Sequence, residues 1–269
     1  MGTYTSYHES TKLFQGSLMI IMGTRLDLLL IGQDQVKSEQ VWAEIEMEVK
    51  RLDKMLNKFD KESDLACMNR DALHGHATVN DELWNILMDC LRYQKMTLGY
   101  FDISLHDFDK VTLTEDHQTV CFQQEDMELD LSGYGKGYAL EKIRAILLSN
   151  GITQALVNFG NSSVLALGSH PHGETWLIGI ADPFSNKTVG TMNLKDSTMS
   201  TSGNTPKLLQ HIIDPHTGIY CDSRRMVSIA APNAIEAEVL STALMVADER
   251  TSKEILKNFS LYNILTFNL

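Results

Sequence analysis

Asp130-Leu131-Ser132-Gly133-Tyr134-Gly135-Lys136-Gly137-Tyr138 is the densest run of site-forming residues in the chain. It predicts a strand that runs into alternating glycines and a lysine, with a helix following. Glycine lets the backbone turn tightly and approach a ligand. The start of the helix offers unpaired N–H groups and the positive end of the peptide dipole, which suits phosphate. Lys136 adds a full charge. The spacing is not GxxxxGK[ST], and it is not GxGxxG, because the third glycine comes one residue early. The stretch therefore lacks the signature of the parallel, doubly wound nucleotide folds. A glycine-rich turn with a surface lysine is the plainer reading of the same residues.

Outward from this run, residues 134–149 predict a helix that stops at Asn150-Gly151. Short strands are expected at 155–159, 164–167, 176–180, 190–194 and 226–230. Helices follow at 233–247 and 252–258, and a last strand at 261–267. On the N-terminal side, 119–131 reads as short and strand-like. Residues 14–30 read as two strands broken at Met22-Gly23-Thr24. Val41, Trp42, Ile45, Val49, Leu52 and Leu56 recur at helical spacing with Glu and Lys between them, a stripe that belongs in a core. Asp81 is a plausible N-cap for a helix through Trp84, Leu87, Met88 and Leu91, ending near Gly99. No repeat or low-complexity linker divides the 269 residues. We read one domain, 1–269, with 1–13 a flexible N-terminal segment. Strands and helices mix without regular βαβ alternation. That predicts an α+β fold, a single compact domain of mixed or antiparallel sheet with flanking helices.

The formal net charge is −12. Such a surface repels phosphate backbones, which argues against nucleic acid as a partner. An anionic substrate then needs locally placed cations or a metal. No apolar run reaches the roughly 18 residues of a membrane span, and the first ten residues are polar without a basic start. The chain as given reads as cytoplasmic, or as periplasmic or cell-envelope if a leader has been removed. The four cysteines, Cys67, Cys90, Cys121 and Cys221, form no CxxC pair and read as free thiols.

Further site signals lie downstream. Ser200-Thr201-Ser202-Gly203-Asn204 is followed by His211-Ile212-Ile213-Asp214-Pro215-His216-Thr217-Gly218, which reads as a strand ending in an Asp-Pro turn. His211 is a candidate general base, since imidazole titrates near neutral pH; a structural histidine is the plainer reading. His74/His76 and His170/His172 have no third zinc ligand in view and read as loop histidines. Glu238 and Thr242 are i, i+4 on one helix face, with Ser241 beside them. A carboxylate and two hydroxyls suit Mg²⁺, while hydroxyls bonding back to their own helix need no metal.

Taken in order, these segments resemble the FAD:protein FMN transferase family, the ApbE-type flavin transferases. Met22-Gly23-Thr24 is similar to the family's opening MGT. Leu56-Asn57-Lys58-Phe59-Asp60, Ser63-Asp64-Leu65 and Met68-Asn69-Arg70 resemble its LSxYxxxSEL and LNR. Gly99-Tyr100-Phe101-Asp102 resembles GAFD, residues 130–138 resemble DLGGIAKGYA, and Leu156-Val157-Asn158-Phe159-Gly160 resembles LVNxGG. Thr201-Ser202-Gly203, the 211–218 stretch and Leu240-Ser241-Thr242-Ala243-Leu244 complete the set.

The resemblance implies an enzyme that uses FAD and Mg²⁺ to place FMN on a Thr or Ser hydroxyl of an acceptor protein, a redox subunit, with release of AMP. It implies FAD contacts at Met22, Phe59, Tyr100, Phe101, Asp102, Asp130, Lys136 and Ile212. It implies metal contacts at Gly133 (through its carbonyl), Glu238, Ser241 and Thr242, with His211 as base and Lys136 on the pyrophosphate. The chain departs from the family pattern at Gly160-Asn161-Ser162, where Gly-Gly-Asp is usual. It departs again at Glu238, where Asp is usual, and in a short segment between Asp102 and Val120. A metal-dependent FAD pyrophosphatase giving FMN and AMP, or a flavin-binding module without catalysis, would draw on the same residues.

Overall fold

In the computed structural model, which describes residues 2–206, 209, 211–260 and 263–269, the break at Met22-Gly23 is a tight turn. It joins β2 (Leu13–Ile21) to β3 (Thr24–Ile31), and β1 (Gly2–His8) pairs antiparallel with β2 on the outside. Met22 and Gly23 both have positive φ, +46° and +73°, the left-handed geometry such a turn needs. The 1–13 segment expected to be flexible is thus corrected over most of its length. Residues 2–8 form a strand whose backbone groups find partners along β2, from Gly2 opposite Met19 to His8 opposite Leu13.

Next come α1 (Gln35–Leu56), α2 (Asp64–Ala72), β4 (Ala77–Thr78) and α3 (Asp81–Met96). The α1 stripe is buried as expected, from Val41 to Leu56. Asp81 is the first residue of α3 rather than its cap. Asn80 caps it, its side chain accepting from Leu83 N. β6 (Thr119–Phe122) pairs antiparallel with both β4 and β5 (Val111–Thr114) in a small three-stranded sheet. Strand structure ends at Phe122, so no strand feeds the glycine run, contrary to expectation. Residues 127–131 are an irregular segment held by side chains: buried Asn69 bonds Leu129 at both its N–H and its C=O, each at 2.9 Å. This supplies the backbone partners that a ladder would otherwise provide.

α4 (Gly135–Ser149) begins inside the glycine run and ends at Asn150-Gly151, with Gly151 at φ +74°. β7 (Ala155–Phe159), β8 (Ser163–Leu167), β9 (Trp176–Ala181), β10 (Thr188–Leu194) and β11 (Ser197–Gly203) follow. After them come β12 (Ile213–Asp214), β13 (Ile219–Tyr220), β14 (Arg225–Ala231), α5 (Ala234–Val246), α6 (Glu249–Leu256) and β15 (Asn263–Asn268). The main sheet has eight strands in the order β1-β2-β3-β7-β8-β11-β14-β15, each neighbouring pair antiparallel. This is the expected α+β architecture, with the sheet antiparallel throughout.

One face of the sheet carries the large core. Leu26, Leu28, Val157 and Phe159 pack there with Trp42 and Ile45 of α1 and Leu140 and Ile143 of α4. The β9–β10 hairpin covers part of the other face through Trp176, Ile180, Met192 and Leu194. β8, lying between, is buried at every residue, which is why it reads as a continuous apolar run. α5 packs on β11, β14 and α4. It is buried nearly all round, as a helix without a polar face must be. Glu238 and Ser241 are therefore buried polar groups in an apolar helix, 2% and 0% exposed.

Candidate active site

A cleft of about 350 Å³ opens at the start of α4. Met22 and Gly23 of the β2–β3 turn line it, with Asp53 and Leu56 of α1, Asn57, Lys58 and Phe59 just after α1, and Asp130, Ser132, Gly135 and Lys136. Four of the expected FAD contacts, Met22, Phe59, Asp130 and Lys136, thus share one cavity, although they come from three separate segments. Phe59 is 85% exposed at the mouth, with Lys58 Nζ 5.3 Å from its ring centre. A large aromatic left in water beside a cleft is a surface for a flat ligand to cover.

Side chains fix the walls. Met22 N–H donates to Asp53 Oδ1 at 3.1 Å, tying the turn to α1. Burial pushes the Asp53 carboxyl above the ordinary aspartate range, against the pull of the Met22 N–H and the Asn57 amide. Asp130 receives Lys58 Nζ at 2.9 Å on Oδ2 and Ser132 N–H at 2.8 Å on Oδ1. Burial raises its carboxyl, but the Ser132 hydroxyl and N–H and the Lys58 ammonium together hold it below the ordinary value. Tyr134, 1% exposed, donates its hydroxyl to Asp89 Oδ2 at 2.7 Å, anchoring the glycine run to α3.

The remaining expected contacts lie on the far side of the 130–134 turn. Asp130 N–H donates to Ile103 O at 2.7 Å, joining that turn to the 100–104 loop. A Cβ on Gly133 would meet Phe101 Cε2 at 3.4 Å and Thr242 Oγ1 at 3.7 Å, so the three elements touch. Asp102 is largely enclosed and accepts both the N–H and the hydroxyl of Ser104 at 2.7 Å. Burial raises its carboxyl despite those donors. Tyr100 meets His216 edge-on, ring centres 4.4 Å apart, so the 100–104 loop also touches the β12–β13 hairpin. Ile212 is buried, and exposed His211 precedes it at the start of that hairpin. Tyr100, Phe101, Asp102, Ile212 and His211 do not line the cleft. The strand expected from His211 shrinks to Ile213–Asp214, because the Asp-Pro turn begins at once.

The residues named for a metal converge at the crossing of α4 and α5. Both carboxylate oxygens of Glu238 are engaged, Oε1 by Lys136 Nζ and Oε2 by the N–H of Gly137. Ser241 and Thr242 donate to Glu238 O at 3.0 and 3.1 Å, the bond back to the helix that needs no metal. Their oxygens also lie 2.9 and 3.2 Å from Ser202 Oγ on β11. Among the described residues no group of three or more His, Cys, Asp or Glu is placed to hold a metal ion. The donor set is one buried carboxylate, neutral hydroxyls and the nearby Gly133 backbone. It fits a hard cation that completes its shell with phosphate oxygens, and it does not fit zinc or a softer ion. His74, His76, His170 and His172 are exposed, as loop histidines, and the four cysteines are free.

Asp53, Lys58, Asp89 and Asn69 escaped the reading of the sequence. Each looks like a solvated helix or turn residue, and no spacing rule marks it. Lys58 and Asn69 at least lay within quoted motifs, Leu56 to Asp60 and Met68 to Arg70.

Comparison with known proteins agrees with this geometry. The sequence profile of the ApbE family matches residues 22–111 and 104–265. The FAD:protein FMN transferase of Klebsiella pneumoniae strain 342 is 26% identical, over 89% of this chain and 80% of that one. The protein of the same name from Escherichia coli K12 is 25% identical over the same shares. The flavin transferase ApbE of Vibrio cholerae has the same fold, with a TM-score of 0.79 at 20% identity, covering 91% of this chain and 90% of its own. The profile spans both the cleft and the α4–α5 crossing, and on that ground the chain belongs to the ApbE family.

Proposed function

We propose that this protein is an FAD:protein FMN transferase that moves the FMN half of FAD onto a Thr or Ser hydroxyl of an acceptor protein, with Mg²⁺, and releases AMP. The observation that carries the reading is the cleft at the start of α4. There Lys136 and the start of α4 line the cleft, and the Glu238–Ser241–Thr242 cluster adjoins them through the Lys136–Glu238 contact, so that the lysine and a cation held by the cluster would reach one pyrophosphate from adjoining sides.

Met22, Phe59 and Asp130 hold the flavin-bearing substrate along the cleft, and Lys136 draws the pyrophosphate to the helix start. Glu238, Ser241, Thr242 and the Gly133 carbonyl would hold the metal, which when bound neutralises pyrophosphate charge and stabilises the AMP leaving group. His211 is exposed, so a hydroxyl on another protein can reach it. Its imidazole takes the proton from that hydroxyl. The acceptor oxygen forms a bond to the FMN-side phosphorus as the bond from that phosphorus to the AMP oxygen breaks. The chain's contribution is positioning and charge placement, which dominate phosphoryl transfer.

The test is incubation with FAD, Mg²⁺ and a candidate acceptor, followed by denaturing electrophoresis and nucleotide analysis. Flavin fluorescence that stays with the acceptor, with one AMP per flavin, is the expected result. FMN and AMP released free would make the protein a pyrophosphatase, and unchanged FAD would make it a binding module.

A further inference from the structure

Glu238 stands where a bound anion would be expected. Gly137 N–H belongs to the first turn of α4, and a helix start beside a lysine, here Lys136, is the kind of place where a phosphate would bind. Yet the group held there is the protein's own carboxylate, reached from α5 across 102 residues of sequence. The approach is possible only because residue 137 has no side chain. A Cβ there would lie 2.7 Å from Ala234 O, 2.8 Å from Ile235 Cα and 2.9 Å from Glu238 Oε2. The partners also differ in freedom. Glu238 has its side chain 3% exposed on a helix packed all round, while Lys136 is 22% exposed and lines the cleft.

Leaving a buried carboxylate without its counter-charge is costly. Lys136 supplies it here, and a divalent cation on the same carboxylate would stand within a few ångströms of the ammonium and repel it. We propose that Lys136 is the resting counter-ion of Glu238, and that a divalent cation takes its place only as Lys136 swings into the cleft toward the FAD pyrophosphate. This rests on the metal- and FAD-dependent reading above and deepens it, since metal and FAD then load together and the empty enzyme binds either one poorly. The swap moves a flexible lysine and leaves α4 and α5 in place.

Mn²⁺ binding without turnover tests it, by calorimetry or by the electron-spin signal of free Mn²⁺, with and without FAD and with no acceptor present. Wild type, Lys136→Met, Lys136→Arg and Glu238→Gln are compared after their melting curves confirm folding. Without FAD, Lys136→Met should bind Mn²⁺ at least tenfold more tightly than wild type, because the competing charge is gone. Lys136→Arg should stay near wild type, and Glu238→Gln should lose the site. FAD should raise wild-type Mn²⁺ affinity at least tenfold and that of Lys136→Met much less. Lys136→Met binding Mn²⁺ no more tightly than wild type would overturn the swap. Because no acceptor or turnover is involved, that result can stand beside normal flavin transfer. Absence of Mn²⁺ binding in every protein, even with FAD, would overturn the swap and the metal reading together.

Discussion

Lys58 and Asp130 form an ion pair across the cleft wall, Nζ to Oδ2 2.9 Å, with each side chain about 15% exposed and Glu128 Oε1 2.6 Å from the same ammonium. The pair joins the end of α1 to the turn that launches α4. The sign of its pH dependence follows from both partners. The folded-state value of Asp130 lies below the ordinary 3.8, so its stabilisation is complete above 3.8 and disappears as pH falls through the lower folded value. Lys58 is the mirror case. Burial lowers its value, but Glu128 and Asp130 raise it more, so its stabilisation is complete below 10.5 and fades as pH rises through the higher folded value. We expect Lys58→Met to cost about 1–3 kcal/mol at pH 7, the usual range for leaving a partly buried charged group without its partner. The difference from wild type should be smaller at an acidic pH below the lowered folded value of Asp130, where that carboxyl is protonated. Urea unfolding of both proteins at the two pH values measures this, and a difference that does not change with pH would refute it.

Gly137→Ala sets two effects against each other. Alanine in place of glycine favours a helix by up to about 1 kcal/mol. The added methyl, however, would press on the α5 backbone at Ala234 O and Ile235 Cα, which cannot rotate away as a side chain can. Overpacking of this kind costs about 1–3 kcal/mol, so the clash prevails. The variant should melt below wild type, and a melting temperature equal or higher would show that α4 and α5 can separate freely.

His211→Ala should leave FAD affinity within about twofold of wild type while slowing flavin transfer by roughly 10²–10⁴, the usual contribution of a general base. The residue lies outside the cleft lining, which is why binding should survive. Equilibrium titration and single-turnover labelling of an acceptor separate the two quantities. Transfer at near wild-type speed would remove His211 from the mechanism, and lost binding would make it a ligand-holding residue.

FAD should bind more tightly than FMN or riboflavin in the presence of Mg²⁺. In the proposed function Lys136, the start of α4 and, through a bound cation, the Glu238 cluster are directed at a pyrophosphate, which FAD alone of the three carries. Calorimetric titration with each flavin checks this, and equal affinities for FAD and FMN would place the recognition on the isoalloxazine side of the cleft instead.

Much of the fold was legible along the chain because its signals are local. The α1 stripe, the β2–β3 break at Met22-Gly23 and the α4 stop at Asn150-Gly151 each depend on residues within one or two turns of each other. Local reading failed where tertiary pairing supplied what the segment lacked. Residues 2–8 are polar and read as flexible, but β2 offers them a ladder. Residues 127–131 alternate like a strand, but Asn69 takes the backbone groups that a neighbouring strand would have paired.

By itself the sequence determined the period of each element, the mixed α+β order and the chain of motifs from Met22 to Thr242, since all of these are written in spacing. Only the tertiary structure decided which charges meet. Lys136 and Glu238 are 102 positions apart, Met22 and Asp53 are 31 apart, and the segment between a pair carries no mark of its partner. Such pairs arise where separate elements meet, and the crossing of α4 on α5 depends on how the whole sheet stacks beneath them. There the absence of one Cβ at Gly137 brings a buried carboxylate to a helix start.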